Sequence, residues 1–357
     1  MKKLISILLV SLLLLGLCAC AEQTPNTAST EAAAPSERDS QPQTTQTPAT
    51  EAPANTDAPA VEGIDLNVYS LKGPTSMGLV TLLDESEKGN TFNRYHSTMC
   101  TAADEVTAAL VSGKADIALL PANAAATLYN KAGGFSVVGI NTLGVLYLVE
   151  NGESIQSLDD LAGKTVFMTG KGTVPEFSLR YLLAAKGLED QVTLEFKSEP
   201  QEVVAAMGEN VANLGLLPQP FVTAALAQNE QLRVALSLTE EWKALTNDSS
   251  FVTGVTVVRN EVLSEFPQQI AEFLKEAAAG VETVNAHPDQ AAPLIEALGI
   301  VAKAPLAQKA IPFCNLVCIT GEEMKQQLSG YLQTLFDQNP QAVGGAMPAD
   351  EFYYTGE

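Results

Sequence analysis

The sequence predicts an α/β protein whose folded part divides into two lobes joined by two strands. From Gly63 onward, apolar runs typical of strands alternate with amphipathic helical segments, the pattern of an open sheet covered by helices. The alternation passes through one series, then a second, and then returns through the apolar run SFVTGVTVVRN. A chain of 357 residues is long enough to build two such units.

The first twenty residues have the pattern of an export signal. A basic start is followed by an apolar stretch, Leu4 to Leu17, which has the length of a signal peptide rather than of a membrane span. Cys20 follows Ala19 and stands three residues after Leu17, so residues 1–20 resemble a bacterial lipoprotein signal with its lipobox. The resemblance implies a diacylglycerol-modified Cys20 and an extracytoplasmic protein anchored to the cell membrane. An ordinary signal peptide cleaved nearby is the alternative.

Residues 21–62 are rich in Thr, Ala, Pro, Glu and Gln and almost devoid of large apolar side chains. Such a segment cannot bury enough surface to fold, and it is interpreted as a disordered tether. For about forty residues, a flexible chain has a root-mean-square reach of roughly 35 Å.

Charge and cysteine content exclude several classes of function. The formal net charge is -22, which argues against nucleic acid as a partner, because phosphate contacts require basic patches. The folded part contains three cysteines, Cys100, Cys314 and Cys318, which is not the even number expected of a disulfide framework. Only two histidines are available to complete a zinc site, so no metal is expected.

The first series of elements is predicted in the order strand, helix, strand, helix, strand, helix. Its strands are IDLNVYSL, RYHSTM and ADIALLP, and its helices are TSMGLVTLLDES, AADEVTAALVSG and ANAAATLYNKAG. The long extended run FSVVGINTLGVLYLVE follows, and Gly144 is a natural place for a bend between the lobes.

The second series begins with the short capped helix SLDDLAG. It continues with the strands KTVFMTG, VTLEFKS, VANLGLLP and QLRVALSL and the intervening helices VPEFSLRYLLAAKG, EPQEVVAAMG and QPFVTAALAQN. From Glu261 the chain is predicted to be mostly helical. Lobe I is therefore assigned to residues 63–145 and 253–357, and lobe II to residues 146–252. Two connecting strands form a hinge that allows the lobes to close on a ligand.

Four turns from strand to helix carry the polar residues of interest. In open α/β sheets, ligands bind beyond the carboxyl ends of the strands, where helix N-termini direct their free N–H groups outward. Two of the four turns fall in each lobe, and facing lobes would line one cleft with them. The turns are Gly73-Pro74-Thr75-Ser76, Pro121-Ala122-Asn123, residues 169–173 (TGKGT) and Leu217-Pro218-Gln219-Pro220.

At this point the chain resembles a known group of proteins. The resemblance is carried by KGPTSMGLV, VTAALVSGKADIALLPANAAATLYNK, SLDDLAGKTV and LLPQPFVTAAL, and it covers residues 63–357. These segments are similar to the solute-binding lipoproteins of ABC importers in the nitrate, sulfonate, taurine and thiamine-precursor group. The resemblance implies a type 2 periplasmic-binding-protein fold that delivers a small molecule to an ABC permease and its ATPase. A ligand-sensing lipoprotein that signals to a membrane partner is the alternative.

The resemblance also implies which residues line the cleft. The ligand-binding candidates are Thr75, Ser76, Asn123, Thr169, Gly170, Thr173 and Gln219, with Ser249, Ser250 and Thr253 near the return crossing. Two roles are considered for Tyr69, Trp242 and Phe251: an aromatic wall of the cleft, or packing in the core. For Asn315 the two roles are a contact in the cleft and a hydrogen bond within a turn. Relatives often have Glu at the position of Gln219, so a cationic ligand is not favoured.

The chemical class of the ligand stays open between two possibilities. Free helix N-termini favour an anion such as a carboxylate, sulfonate or nitrate. The four turns contain Lys171 but no arginine, the residue that usually forms paired hydrogen bonds with anions. A neutral heteroaromatic molecule such as a pyrimidine, held by Asn, Gln and Thr, is the second possibility.

Enzymatic function and bound cofactors are not predicted. GKGT at residues 170–173 lacks the G-x-x-x-x-G-K-[ST] pattern of a nucleotide-binding loop. Neither His96 nor His287 stands near a nucleophile motif such as G-x-S-x-G.

Overall fold

The computed structural model describes residues 61–246 and 249–356. The predicted signal, the lipidation at Cys20 and the tether up to residue 60 lie outside the described residues. Within the described ranges, no helix is both long and apolar enough to cross a membrane.

The described part of the chain forms two β-sheets. In chain order, the strands are β1 (Asp65–Leu71), β2 (Arg94–Cys100), β3 (Ile117–Pro121), β4 (Phe135–Leu143), β5 (Leu146–Asn151), β6 (Thr165–Met168), β7 (Thr193–Phe196), β8 (Leu214–Pro218), β9 (Leu232–Ser237), β10 (Val252–Arg259) and β11 (Leu316–Ile319). The central strands are nearly continuous apolar runs because helices cover both of their faces.

Helices connect most of these strands. In chain order they are α1 (Pro74–Met77), α2 (Val80–Glu87), α3 (Ala103–Val111), α4 (Ala122–Ala132), α5 (Val174–Ala185), α6 (Pro200–Gly208), α7 (Phe221–Gln228), α8 (Leu238–Thr246), α9 (Asn260–Glu265), α10 (Pro267–Ala286), α11 (Pro288–Ala297), α12 (Ala304–Ala310) and α13 (Gly321–Gln338). Short 3-10 turns occur at Leu158–Leu161, Ile311–Phe313, Pro340–Val343 and Asp350–Phe352.

The two sheets share a strand order over five strands, and the first sheet has β11 as an additional edge strand. The first sheet has the order β2-β1-β3-β10-β4-β11, and the second has the order β7-β6-β8-β5-β9. In each sheet, the strand that follows a crossing between the lobes lies antiparallel to both of its neighbours. In the first sheet this strand is β10, between β3 and β4, and in the second it is β5, between β8 and β9. The predicted two-lobed α/β fold is confirmed, with one sheet at the centre of each lobe.

The register of the strands brings the carboxyl edges of both sheets to the hinge. Leu143 ends β4 opposite Val252, and Pro121 ends β3 opposite Gly254. In the second sheet, Pro218 ends β8 opposite Leu146. Only residues 144–145 separate β4 of the first sheet from β5 of the second. The carboxyl edges of the two sheets therefore lie on either side of this connection between the lobes.

Several predicted elements differ in detail from the observed ones. The predicted helix TSMGLVTLLDES consists of α1 and α2, which Gly78 and Leu79 separate. The long helix predicted after Glu261 is broken between α9 and α10 at Phe266, because the residue before a proline disfavours helical geometry. The apolar run IPFCNLVCITG contains a 3-10 turn and strand β11, and its Cys314 is buried while Cys318 is half-buried.

Helix α13 packs against elements of both lobes. It follows β11 of the first sheet and packs against β4 and β10, but it also packs against α5, which follows β6 of the second sheet. Tyr331 of α13 is fully buried in this contact. The large core cluster consequently extends through both lobes.

Candidate functional site

Asn123 links the two lobes at the start of α4. Its Nδ2 donates to the Gly172 carbonyl of the loop before α5, at 3.3 Å, and to the Ala342 carbonyl, at 3.1 Å. The side chain is 1% exposed, and its Oδ1 atom is buried without a hydrogen-bond partner. We call the Asn123 and Gly172 pair the polar contact. It brings together the second and third of the turns that the sequence singled out.

The loop of residues 169–173 is shaped by its own hydrogen bonds. Gly170 has a φ of 80°, a left-handed conformation that favours glycine. Its carbonyl accepts from the Thr173 backbone N–H at 3.0 Å and from Thr173 Oγ1 at 2.8 Å. Thr169, Gly170 and Thr173 are half-buried, so the loop borders the contact between the lobes without being sealed within it.

The N-terminal end of α5 already holds a carboxylate. Glu176 Oε2 accepts from the Gly172 backbone N–H at 2.7 Å, and its Oε1 accepts from Arg180 Nε at 2.9 Å. A carboxylate in the first helical turn is stabilised by the positive end of the helix dipole. This end of α5 is therefore less available to an anionic ligand than the sequence suggested.

Thr75 and Ser76 hydrogen-bond back toward β1 rather than capping α1. Thr75 Oγ1 donates to the Leu71 carbonyl at 3.4 Å, and Ser76 Oγ donates to the same carbonyl and lies 2.8 Å from Ser70 Oγ. Ser76 is fully buried and Thr75 is 8% exposed. The Gly-Pro-Thr-Ser turn thus fastens α1 to the end of β1, and α1 is only four residues long.

The first two turns lie against the same residue of β10. A Cβ added to Gly254 would stand 2.7 Å from Thr75 Cγ2, and Gly254 pairs with Pro121 across the sheet. Glycine at position 254 permits this close approach. Thr75 and Asn123 therefore flank one stretch of the first sheet's carboxyl edge.

Gln219 occupies the corresponding edge of the second sheet. Its backbone N–H donates to the carbonyl of the hinge residue Val145 at 3.0 Å, and its peptide bond to Pro220 is cis. Its Oε1 accepts from the backbone N–H of Thr223 at 3.3 Å and from Thr223 Oγ1 at 2.9 Å. The side chain is 4% exposed and caps the first turn of α7.

The three candidates near the return crossing have different surroundings. Thr253 Oγ1 is buried without a hydrogen-bond partner, directly before Gly254. Ser249 and Ser250 are half-buried. Ser250 lines a pocket of about 320 Å³ at the hinge, which is bordered by Leu143, Gly144, Tyr147, Thr239, Phe313 and Asn315. Ser249 is not among the lining residues of that pocket.

Asn315 and Tyr147 stabilise the hinge at this pocket. Asn315 has a φ of 45°, and its Nδ2 donates to the Gly144 carbonyl. Tyr147 OH donates to the Phe313 carbonyl at 3.4 Å, and burial raises the pKa of the Tyr147 phenol. Asn315 therefore has a turn-stabilising role at the hinge.

Trp242 and Phe251 belong to an aromatic cluster between the lobes. The Trp242 ring stacks on Phe251 at 5.3 Å and 14°, and it contacts Tyr181 at 4.8 Å and Tyr331 at 5.1 Å between ring centroids. Tyr331 OH lies 3.1 Å from Ser178 Oγ, and burial raises the pKa of the Tyr331 phenol. We call these four rings the aromatic contact. Tyr69 packs at the margin of the large core cluster.

Sequence reasoning missed Glu176, Ala342 and Asn141. Asn141 Oδ1 and Thr75 Cγ2 both lie against Gly254, and Asn141 Nδ2 donates to Thr256 Oγ1 at 3.2 Å. The acidic residue at the third position of α5 was a visible signal for a helix-terminal carboxylate. Nothing in the sequence near Ala342 indicates that its carbonyl meets Asn123.

The described residues contain no cluster of three or more His, Cys, Asp or Glu side chains suited to a metal ion. Cys100, Cys314 and Cys318 are free thiols in the structure.

Comparison with known proteins gives one family match. The family described as "ABC transporter, phosphonate, periplasmic substrate-binding protein" matches residues 92–308, which is more than half of the chain. A search of curated protein sequences found no match.

Solved structures of similar fold come from several bacteria. An ABC transporter protein from Parabacteroides distasonis has 26% identity and a TM-score of 0.67, with coverage of 81% of this chain and 98% of that chain. The periplasmic aliphatic sulphonate binding protein SsuA of Escherichia coli has 17% identity and a TM-score of 0.63, with coverage of 80% and 92%. The alkanesulfonate-binding protein SsuA of Xanthomonas axonopodis pv. citri, bound to MOPS, has 14% identity and a TM-score of 0.63, with coverage of 81% and 96%.

Proposed function

We propose, since this chain belongs to the phosphonate-type family of ABC-transporter periplasmic substrate-binding proteins, that it encloses one small solute between the facing edges of its two sheets. As a member of that family it is a binding protein of an ABC transporter, and its partners are a small molecule and a permease. The signalling alternative finds no support in the family match or in the similar structures.

The observation that carries the proposal is the polar contact. Asn123 and Gly172 belong to turns at the carboxyl edges of different sheets, and they are hydrogen-bonded across the interface at 3.3 Å. We place lobe I at residues 63–145 and 253–357 and lobe II at residues 146–252. The lobes separate at this contact to admit solute and return to the closed arrangement around it.

We assign the solute contacts to side chains and backbone groups from both lobes. Asn123, Thr75 and Thr253 contribute from lobe I or its return crossing, and Gln219 with the loop Thr169, Gly170 and Thr173 contributes from lobe II. The burial of Asn123, Thr75 and Gln219, each at most 8% exposed, supports a role that requires opening first. We assign structural roles to Ser76, which is fully buried against β1, and to Asn315, which donates to the Gly144 carbonyl. Thr75 Oγ1 donates to the Leu71 carbonyl, and its oxygen is left to accept from the solute.

The test is a thermal-shift screen of the purified chain with inorganic anions, sulfonates, phosphonates, carboxylates, amides and aminopyrimidines. A solute that binds only the folded form raises the melting temperature by mass action. Hydrogen exchange should then show protection of residues 121–123 and 169–173 together upon binding. Binding that protects neither segment would refute an interlobe site.

We also propose that Cys20 carries the lipid anchor and that residues 21–62 form the tether. The motif Leu17-Cys18-Ala19-Cys20 supports this assignment. Two acyl chains suffice for stable membrane attachment, since each buried methylene contributes about 0.8 kcal/mol. Mass spectrometry of the amino-terminal peptide should find the lipid in the wild type and not in Cys20→Ser. An unmodified Cys20 in the membrane fraction would contradict the assignment.

A further inference from the structure

We propose that the solute donates an N–H hydrogen bond to Asn123 Oδ1, and that the site selects uncharged N–H-bearing molecules over fully ionised oxyanions. This inference rests on the proposed interlobe site and specifies its substrate class. The argument begins with Asn123, whose Oδ1 is buried and has no hydrogen-bond partner.

The orientation of the Asn123 amide is fixed by its neighbours. Nδ2 lies against two carbonyl oxygens, those of Gly172 and Ala342. A flipped amide would place Oδ1 against both acceptors, so the oxygen must be the unpaired atom. A buried acceptor without a partner is unfavourable, and a donor on the solute would offset that cost.

A fully deprotonated phosphonate, sulfonate or nitrate has only acceptor oxygens. Placed at Asn123 Oδ1, such a group would leave the amide oxygen unsatisfied and add repulsion between oxygens. A carboxamide, a sulfonamide or an aminopyrimidine presents an N–H donor there and carries no charge.

The surroundings supply little positive charge to offset that repulsion. The amino-terminal end of α5 already holds the Glu176 carboxylate, whose Oε2 lies 2.7 Å from the Gly172 nitrogen. The Arg180 guanidinium is paired with the same carboxylate at 2.9 Å. Lys171 is exposed, and its Nζ lies over the Phe196 ring at 5.8 Å.

Gln219 offers the complementary group from lobe II. Because Oε1 accepts from the Thr223 backbone N–H, the amide orientation is again fixed, leaving Nε2 to donate to a solute acceptor. Thr253 Oγ1, buried and unpaired beside Gly254, can donate or accept. A solute that bridges Gln219 Nε2 and Asn123 Oδ1 needs one acceptor and one donor, as on the edge of a carboxamide or an aminopyrimidine.

The experiment compares solutes of matched shape by calorimetry and thermal shift. The pairs are nicotinamide with nicotinate and methanesulfonamide with methanesulfonate, and cytosine and methylphosphonate are each added alone. At least one uncharged member should bind at least about tenfold more tightly than its anionic counterpart, since one satisfied buried acceptor is worth that ratio. Tighter binding of the anions, or binding by no uncharged member, would overturn the proposal.

A pair of variants separates recognition from folding. Asn123→Ala and Asn130→Ala each remove an α4 amide that donates to the carboxyl-terminal segment. Asn123 donates to the Ala342 carbonyl, and Asn130 donates to the carbonyls of Val343 and Ala346. Only Asn123 reaches lobe II. Asn123→Ala should weaken binding of the best uncharged solute by about tenfold, and Asn130→Ala should leave it nearly unchanged.

Hydrogen exchange distinguishes the failure of this inference from the failure of the interlobe site. An oxyanion that binds and protects residues 121–123 and 169–173 would overturn the N–H selection while keeping the site. Any solute that binds while leaving both segments unprotected would remove the site itself.

Discussion

Two of the regions where the lobes meet have opposite character, the aromatic contact and the polar contact. The first packs the rings of Tyr181, Phe251 and Tyr331 around Trp242, which is fully buried. The second consists of one hydrogen bond across the interface and leaves the Asn123 oxygen unpaired. Apolar burial and ring stacking stabilise the aromatic contact, whereas separating the polar contact costs little free energy. We therefore propose that the lobes pivot at the aromatic contact and open at the polar contact.

The strongest test of this comparison is Trp242→Ala. Loss of a fully buried indole should lower the free energy of unfolding by about 3 to 5 kcal/mol, measured by chemical denaturation. Trp242→Phe is the control, because it keeps a ring and removes the buried Nε1, which has no hydrogen-bond partner. A loss below about 1 kcal/mol in the alanine variant would mean that the rings do not hold the lobes together.

Gly144→Ala should disturb the pivot without removing any ring. The added Cβ would lie 2.8 Å from Phe251 Cδ1 and would also collide with Thr239 Oγ1. Overpacking of this kind costs about 1 to 3 kcal/mol of unfolding free energy. Gly208→Ala is the matched control, because nothing lies within 4 Å of a Cβ there. Equal melting temperatures for the two variants would contradict a tightly packed hinge.

Gln219→Ala should act on the polar side. Its loss should weaken solute binding about tenfold, close to 1.4 kcal/mol, because one donor to the solute disappears. Calorimetry with the best solute from the screen measures the effect, with Gln191→Ala, an exposed lobe II glutamine, as the control. An affinity unchanged in Gln219→Ala would remove this residue from the site.

The smallest expected effect concerns the hydroxyl in the aromatic contact. Tyr331→Phe removes one hydrogen bond to Ser178 Oγ, 3.1 Å away, and should cost about 1 kcal/mol of unfolding free energy. Solute affinity should stay within about twofold, because the pivot keeps its rings. The double variant with Ser178→Ala should cost less than the sum of the single losses, since both partners then disappear. Additive losses would show that the two hydroxyls do not interact.

The sequence predicted the architecture because it depends on local patterns. Buried runs such as ADIALLP identify central strands from apolar content alone, and the return run SFVTGVTVVRN became β10. Hydroxyl direction was less predictable. Thr75 and Ser76 were named as ligand-binding candidates, but their hydroxyls hydrogen-bond to the preceding strand end. A hydroxyl in such a turn can bond to the backbone or to a solute, and the choice depends on how α1 is placed.

The details of the candidate site depend on contacts that are distant in the sequence. Asn123 was singled out from its position after a strand, but the carbonyls that orient its amide belong to Gly172 and Ala342. The carboxyl-terminal segment that holds Ala342 follows α13, and no local motif marks its partner. The sequence therefore indicated which residue mattered without indicating which of its atoms would be left for a solute.

The insertion of β10 between β3 and β4 has a consequence for how the protein acquires its structure. All five strands of the second sheet follow one another in the chain, so that sheet is complete once residue 237 is available. The first sheet has a gap at its centre until residues 252–259 arrive, and the pairing of Gly254 with Pro121 must then close a long loop. The first sheet therefore starts earlier in the chain but is completed later than the second. Strands β1 to β4 precede the second sheet, whereas β10, which must lie between β3 and β4, follows all of it.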